Sequence, residues 1–362
     1  LQGLQRHMYL VGIDRTEERL ARSKTALDRA LEIDPNLPEV KMALGYHNFR
    51  ILKDYNRAIE IFESVKKARP NLPPFFLAEI QRDQGRWQDA ILNFEKSFRL
   101  NPRSSDTAHI LGRLYAWIGN YGESERWFNR ALSIYPELYY SRLGLARVSF
   151  LARGDLKETR ARLEALPQHR LTEYNWYLLG MMERNYQGVL DRIGSMPFTY
   201  FGETNFYVPR DLALASIYYA LNEKQIAVKY ASLVRTELEQ NIRETPEDSR
   251  FYTALGLAYA YLGNKARAIQ EGKKALELNP IVRNAFEGTH DIRNMAAIYA
   301  LVGEYDEALN QLEFLFSIPC GNYFSAFTLR LDPTWDPLRQ NPRFERLLEE
   351  ISHGTKFPID PD

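Results

Sequence analysis

The sequence predicts an all-α solenoid of about nine antiparallel helix pairs, stacked as a right-handed superhelix with a helical cap at the carboxyl end. Three observations lead to this fold class. Landmark residues recur along the chain, and the marker prolines Pro102 and Pro136 lie 34 residues apart. Apolar residues in the recurring segments follow the helical period and not the alternation of a strand. Asn-Pro or Asp-Pro steps close successive units.

Two copies of the repeat agree at every landmark. The first contains Leu111-Gly112, Tyr115, Gly119, Tyr121, Ser124, Phe128, Ala131 and Pro136. The second contains Leu255-Gly256, Tyr259, Gly263, Lys265, Ala268, Gly272, Ala275 and Pro280, at the same offsets. This order and period resemble the consensus of the tetratricopeptide repeat (TPR) family, in which each repeat is two antiparallel helices.

Less regular copies fill most of the remaining chain. Four of them keep several landmarks, namely residues 44–70, 77–102, 145–163 and 295–312, and the first has one extra residue between its helices. Half a copy precedes them at Leu27, Ala30 and Pro35. Two copies are degraded, one at 174–196 with a short second helix and one at 212–243 with a long second helix and no turn glycine. Because no pair buries its own apolar face, neighbouring pairs must stack to form the core.

The small residues of the repeat have physical reasons. Gly or Ala at the eighth position lets the two helices of a pair approach closely, and the small residue at the twentieth position does the same from the second helix. Glycine in the turn supplies the positive φ that ends the first helix. Leu, Tyr and Phe then fill the space between successive pairs.

An aromatic segment interrupts the array. Residues 197–209 have no repeat frame, contain several aromatic residues and are closed by a proline at each end. We expect an ordered loop docked on the stack, because so many rings are costly to leave in water. It would divide the chain into sub-stacks at residues 1–197 and 209–319, with the loop at 198–208.

Residues 320–362 are predicted to cap the solenoid. Asp332 and Asn341 each precede a proline, as residues that start helices do. Trp335, Leu338, Phe344 and Leu347 would then cover the open apolar end of the last pair, which terminal repeats require for solubility.

The same segment supports a narrower resemblance. Residues Leu331 to Arg339, with Pro342-Arg343-Phe344, are similar to the closing motif of bacterial TPR domains at the C-termini of signalling proteins. Those proteins are class III nucleotide cyclases, Ser/Thr kinases and winged-helix regulators. The resemblance implies a regulatory or docking module. No Gly-rich phosphate loop or kinase motif of their output domains occurs in the chain.

Composition argues against several other functions. Lys+Arg and Asp+Glu both number 47, so the chain lacks the basic excess of a nucleic-acid-binding protein. It contains no apolar run long enough to cross a membrane and no signal-peptide pattern. Cys320 is the single cysteine, and the six histidines are too dispersed for a metal site. We therefore expect neither an enzyme nor a cofactor, while the compartment, bacterial cytoplasm or periplasm, stays open.

The groove of the array is the candidate binding site. The TPR resemblance implies that positions 2, 5, 9 and 12 of the first helices line it. The candidates are Tyr46, Phe49, Phe75, Arg82, His109, Arg113, Tyr140, Arg147, Phe150, Tyr174, Tyr177 and Arg184. One arginine from each of four consecutive pairs would suit an acidic partner. Alternatively, these arginines lie on solvated helix faces with their stems over the aromatic rings.

The leading functional hypothesis is a module that binds a protein or peptide, with a small-ligand sensor and a structural spacer as alternatives. The TPR clamp for chaperone tails is not expected, because it needs Lys and Asn where this chain has, for example, Leu143 and Arg147. A long open trough would favour a peptide, and a closed pocket near residues 197–209 a small ligand. An apolar patch on the convex side would favour a spacer. The sequence leaves the partner and the oligomeric state open.

Overall fold

The computed structural model describes residues 17–69, 74–203, 206–319 and 324–352. These residues form an all-α solenoid of one leading helix and eight antiparallel pairs, which confirms the predicted fold class. The only sheet within the described residues has two strands. The chain divides into two compact units, residues 1–102 and 103–362. The predicted boundary at 198–208 falls inside the second unit, and a division of the solenoid there stays a prediction.

The first unit holds the leading helix and two pairs. They are α1 (Glu17–Ile33), α2 (Pro38–His47) with α3 (Tyr55–Ala68), and α4 (Phe75–Asp83) with α5 (Trp87–Leu100). A π-helical turn at Asn48–Leu52 continues α2. This wider turn accommodates the extra residue that the sequence places between these two helices.

The second unit holds six pairs and the cap. The pairs are α6 (Ser105–Trp117) with α7 (Tyr121–Ile134), α8 (Tyr139–Arg153) with α9 (Leu156–Glu164), α10 (Arg170–Met182) with α11 (Tyr186–Ser195), α12 (Arg210–Ala220) with α13 (Lys224–Glu244), α14 (Ser249–Tyr261) with α15 (Lys265–Leu278), and α16 (Gly288–Leu301) with α17 (Tyr305–Ser317). The cap consists of α18 (Ala326–Leu331), a 3-10 helix (Pro333–Leu338) and α19 (Pro342–Ser352).

The turn inside each pair contains a residue with a positive φ, and in five of the eight pairs a side chain also caps the second helix. Gly119 has a φ of +82°, and the next residue, Asn120, accepts a hydrogen bond from the backbone N–H of Glu123 at 3.2 Å. Where the pair lacks the glycine, another residue takes up the same conformation, as Arg184 does with a φ of +59°. The turn geometry is therefore kept even in the degraded copies.

The aromatic segment is a β-hairpin, which corrects the expectation of an ordered loop. Strands β1 (Tyr200–Glu203) and β2 (Phe206–Pro209) pair antiparallel, with Phe201 opposite Val208. Pairing satisfies the backbone N–H and C=O groups that docking removes from water. Phe201 is fully buried, and its ring lies 5.9 Å from those of Tyr174 and Tyr177 on α10.

The cap packs against α16 and α17 as the sequence predicts. Trp335 and Leu338 are 0% exposed and belong to the same apolar cluster as Met295 and Leu312 of the last pair. The side chain of Asp332 accepts a hydrogen bond from the backbone N–H of Thr334 at 2.9 Å and so starts the 3-10 helix.

The cap and the segment before the last pair also contact the first pairs of the same unit, which the repeat pattern does not predict. Leu331 packs against the apolar cluster that Phe150 and Leu151 of α8 form with Met182 of α10. The ring of Phe286, just before α16, lies 4.6 Å from that of Trp117 at the end of α6. The six pairs of the second unit therefore curve until the sixth meets the first.

Replacing Gly144 with alanine should lower the free energy of unfolding by about 1–3 kcal/mol. A Cβ at Gly144 would lie 2.5–2.7 Å from three ring atoms of Phe128, which is fully buried and is already in contact with Gly112 on the other side. Urea unfolding followed by circular dichroism measures the change.

Gly122→Ala is the matched control, because no atom lies within 4 Å of the Cβ it would add on the neighbouring α7. This variant should be as stable as the wild type or more stable, since alanine is the better helix former. If the two variants proved equally stable, the close approach of α6 and α8 around Phe128 would be wrong.

Candidate functional site

The first helices of the six pairs in the second unit surround a cavity of about 180 Å³. Its lining residues come from α6, α8, α10, α12, α14 and α16, and the hairpin and the cap complete the wall. No residue of a second helix contributes to it within the described part of the chain. We call this surface of the first helices the inner face.

Aromatic side chains form much of the wall. They are Trp117, Phe150, Tyr174, Tyr177, Phe206, Tyr207, Tyr261 and Phe324. Several are held by contacts of their own, as where the Tyr177 hydroxyl lies 2.8 Å from the Ser216 hydroxyl. Such rings offer stiff apolar contact to a ligand with little loss of side-chain entropy.

Four arginines and two aspartates also line the cavity. Two of the arginines have carboxylate partners. Arg250 binds both oxygens of Asp248 at 2.8 and 2.6 Å, and Arg293 lies 3.5 Å from Asp332. The other two, Arg113 and Arg147, lie 34 positions apart in the chain and so occupy the same position in adjacent first helices.

Arg113 lies over an aromatic ring, and Arg147 is bonded to a side-chain amide. The guanidinium of Arg113 lies 4.6 Å from the centre of the Trp117 ring and makes no ion pair with any residue that the structure describes. Arg147 is buried, and its Nε donates a hydrogen bond to the amide oxygen of Asn175 at 3.0 Å.

Two buried histidines near these arginines have lowered pKa values. Burial lowers the pKa of His290, on the cavity wall, to about 3, with further contributions from Arg293, Arg113 and Arg147. Burial, followed by Arg113 and Arg147, lowers the pKa of His109 to about 3 as well. Both imidazoles are therefore neutral at pH 7, and the cationic character of the cavity comes from guanidinium groups.

Asp291 is the buried acid of the wall. Burial raises its pKa to about 6, although hydrogen bonds from Asn279, Thr253 and Ser249, at 2.9, 2.7 and 3.1 Å, oppose this shift. Three neutral donors therefore hold this carboxylate, and no arginine is bonded to it among the described residues.

Five of the twelve candidate residues lie on the cavity wall. They are Arg113, Arg147, Phe150, Tyr174 and Tyr177. His109 and Tyr140 belong to the same helices but lie outside the wall. His109 is 3.0 Å from the Ser141 hydroxyl, and Tyr140 is 50% exposed.

Two of the four candidate arginines, Arg184 and Arg82, are bound to neighbouring carboxylates. Arg184 lies in the turn after α10 and makes a two-pronged ion pair with Asp336 of the cap, at 2.6 and 2.7 Å. Arg82, in the first unit, is buried and binds Asp83 at 2.6 and 2.9 Å. The neighbouring Glu79 is bound to Arg50.

The other three candidates of the first unit lie in ring contacts. Phe49 is 0% exposed and is a core residue, which corrects its assignment to a groove. Tyr46 lies 4.6 Å from Phe76, and Phe75 lies 5.2 Å from Phe94, measured between ring centres. Tyr46 therefore packs against the next pair, and Phe75 packs against the second helix of its own pair.

Six further wall residues occupy groove positions of the repeat, although they are not among the twelve candidates. Positions 2, 5 and 9 of the last two pairs are Arg250, Thr253 and Leu257, and His290, Arg293 and Ala297, and all six line the cavity. The contributions of the hairpin and the cap carry no such signal, since those segments have no repeat frame.

Metal ions and membranes would each need features that the described residues do not show. Within residues 17–69, 74–203, 206–319 and 324–352, no three His, Cys, Asp or Glu side chains are grouped to hold a metal ion. None of the helices described there combines the length and apolar character needed to span a bilayer. Cys320 lies outside the described residues.

Comparison with known proteins identifies the type of repeat. Profiles of the tetratricopeptide repeat family match residues 77–138 and 249–281, so the chain contains tetratricopeptide repeats. Proteins with this fold are generally protein-interaction or scaffold modules and are typically not catalytic.

Individual relatives are distant. Superkiller complex protein 3 of Mus musculus is 30% identical over 82 residues, which is 23% of this chain and 5% of that protein. TPR repeat-containing protein YvcD of Bacillus subtilis is 23% identical over 285 residues, which is 67% of this chain and 56% of that protein. The chain therefore spans about half the length of the second relative and much less of the first.

Two solved structures are similar to this chain to different degrees. Yeast Tom70 matches with a TM-score of 0.51 and 14% identity, over 78% of this chain and 59% of that one. A tetratricopeptide repeat protein from Parabacteroides merdae matches with a TM-score of 0.42 and 17% identity, over 80% of this chain and 93% of that one. At this identity the likeness to Tom70 concerns the fold alone.

Proposed function

We propose that the protein is a protein-interaction scaffold whose second unit binds a partner on its inner face, with an acidic or carboxylate-ended group in the cavity. The observation that carries this proposal is the meeting of Arg113 and Arg147 with aromatic rings on one wall. Guanidinium groups match carboxylates in geometry and charge, and the rings would hold the apolar part of the partner.

The size of the cavity limits how a partner can bind. At about 180 Å³ it is slightly larger than the roughly 150 Å³ cavity that accepts a benzene molecule in another protein. One side chain or one chain end of the partner would fill this space. The partner is therefore anchored by one residue, and the rest of its contacts lie outside the cavity.

The regulatory setting is a further part of the proposal. The similarity of residues 331–344 to the closing motif of bacterial signalling proteins supports a docking module in such a protein. Burial of Trp335, Leu338 and Phe344 is in keeping with a closing role for this motif.

Selection from a peptide library displayed on phage, with internal and free C-terminal formats, tests the proposed function. We expect the selected peptides to carry Asp, Glu or a free carboxylate, and their affinity to fall as salt rises. The double variant Arg113→Ala, Arg147→Ala should bind them at least about tenfold more weakly, because each charged hydrogen bond contributes about 1.5–3 kcal/mol.

Arg126→Ala, Arg162→Ala is the matched control. Both side chains make ion pairs on second helices, with Glu123 and Glu158, and neither lines the cavity. It should bind the selected peptides like the wild type. Equal affinity of the wild type and the Arg113, Arg147 variant for these peptides would remove the cavity from the proposal.

A further inference from the structure

We propose that α13 is a dimerisation surface, on which a second copy of this chain binds through its own α13 in antiparallel orientation. The two-fold axis of the pair lies at Leu233. This surface is separate from the proposed binding site, because α13 contributes no residue to the cavity wall as the structure describes it. The dimer would present two inner faces, one from each copy.

Helix α13 is much longer than the second helices beside it. It has 21 residues and extends about 31 Å, whereas α11 and α15, the second helices of the pairs before and after it, have 10 and 14 residues. Neither neighbour is long enough to cover α13 along its whole length. An apolar side chain on its outer face therefore stays in contact with water unless another chain covers it.

Two faces of α13 differ in burial. The buried residues attach the helix to the solenoid, and they are Ala227, Ala231, Val234 and Leu238. A second set also recurs at intervals of three or four residues and therefore shares one face, which is exposed. Its members are Ile226, Lys229, Leu233, Glu237 and Gln240. We call this set the exposed face of α13.

Apolar residues lie at the centre of the exposed face. Leu233 is 51% exposed, more than any other leucine in the described part of the second unit, and Ile226 lies two turns before it. Beside them the ring of Tyr230 stacks almost parallel on that of Tyr218 of α12, with 5.6 Å between ring centres. In the proposed dimer, Leu233 packs against Leu233 of the second copy, which removes apolar surface from water in both chains.

Charges on the same face favour a second copy in antiparallel orientation. Lys229 and Glu237 each lie four residues from Leu233, one before it and one after it. A two-fold axis at Leu233 therefore brings Lys229 of each copy to Glu237 of the other and forms two ion pairs. A parallel pair in register would instead place Lys229 beside Lys229 and Glu237 beside Glu237, which repel each other.

Both charged side chains are placed for such pairs. Lys229 makes no ion pair with a residue that the structure describes, and its ammonium lies 5.7 Å from the centre of the Tyr230 ring. Glu237 accepts a hydrogen bond from the Tyr207 hydroxyl of the hairpin at 2.9 Å. Because this donor is uncharged, it holds the carboxylate at the exposed face without neutralising it.

The proposed interface is small. Two single helices bury less than the roughly 1,200–2,000 Å² that stable complexes bury, so we expect a dissociation constant in the micromolar range. The ion pairs lie close to water and are screened by salt, so a higher ionic strength should weaken the dimer.

Sedimentation velocity of the full chain over a range of concentrations tests the inference. The wild type should change from monomer to dimer between low and high micromolar concentration. Leu233→Glu should weaken the dimer at least about tenfold, because it places two carboxylates against each other on the axis. A wild type that stays monomeric at the highest concentration would overturn the inference and leave α13 to a different protein, and so would a dimer that Leu233→Glu does not affect.

Val228→Glu is the matched control. Val228 is 41% exposed on the same helix, but it is turned by about 140° from Leu233 and so lies on another face. This variant should dimerise like the wild type. An equal loss of the dimer in Val228→Glu and Leu233→Glu would contradict the assignment of the surface.

Two charge-reversal variants test the orientation. Lys229→Glu and Glu237→Lys should each dimerise at least about tenfold more weakly than the wild type, because each brings like charges together at both contacts. An equimolar mixture of the two should form a heterodimer, since opposite charges then meet at both contacts. All these side chains are exposed, so the circular dichroism of each variant should match that of the wild type. A mixture without heterodimer would overturn the antiparallel arrangement.

Discussion

Replacing Trp335 with alanine should lower the free energy of unfolding of the second unit by about 3–5 kcal/mol. The side chain is 0% exposed, packs 5.9 Å from the ring of Phe324, and lies in the cluster that joins the cap to α14, α16 and α17. Removing the side chain leaves a large cavity between the cap and the last pair. The thermal midpoint should fall by roughly 6–20 °C.

Trp335→Phe is the informative control for this prediction. The indole Nε1 is buried and has no hydrogen-bond partner among the described residues, so phenylalanine removes an unsatisfied donor while it keeps most of the packing. We expect this variant to lose less than half as much stability as Trp335→Ala, measured by urea unfolding. Unchanged stability of Trp335→Ala would show that the cap does not close the solenoid.

Lowering the pH from 6.5 to 4 should destabilise the fold through His290 and His109. Each has a pKa of about 3 in the folded chain, against about 6.5 when unfolded. Between these values the unfolded chain binds a proton that the folded chain does not, so stability falls as the pH falls. Each histidine contributes a slope of about 1.4 kcal/mol per pH unit.

Two variants separate this effect from other titrating groups. His290→Gln should reduce the slope between pH 6.5 and 4, measured as the free energy of unfolding at each pH. Asp291→Asn should make it steeper, because the pKa of Asp291 is raised to about 6 and its protonation stabilises the folded chain as the pH falls. Identical slopes for His290→Gln and the wild type would mean that His290 is not held neutral by its surroundings.

The repeats could be predicted because their signals are local. Helical periodicity, the turn glycines and the asparagine or aspartate caps act within one pair, as Gly119 and Asn120 do. Where the glycine is absent, another residue adopts the same positive φ. That substitution leaves no sequence signal, and the degraded copies are recognisable only from their place between regular copies. The β-hairpin was missed because its few residues read equally well as a loop.

Candidate site residues were predictable by position but not by environment. The groove positions of the repeat identify Arg113 and Arg147 and, when applied to the last two pairs, also Arg250 and Arg293. The same positions give no indication that Arg82 is bound to Asp83. An ion pair depends on which side chains lie within reach in the folded chain, and the repeat frame does not contain that information.

By itself, the sequence determined the helix pairs, their turns, the cap and the helix face on which the arginines lie, because each depends on residues close together in the chain. Only the tertiary structure decided that this face encloses a cavity. Trp117 contacts Phe286, and Leu331 contacts the cluster that contains Phe150, across more than 150 residues of sequence, through small rotations between successive pairs that add up along the second unit. No single repeat encodes that sum, and it brings Arg113, Arg147 and Arg293 to one cavity.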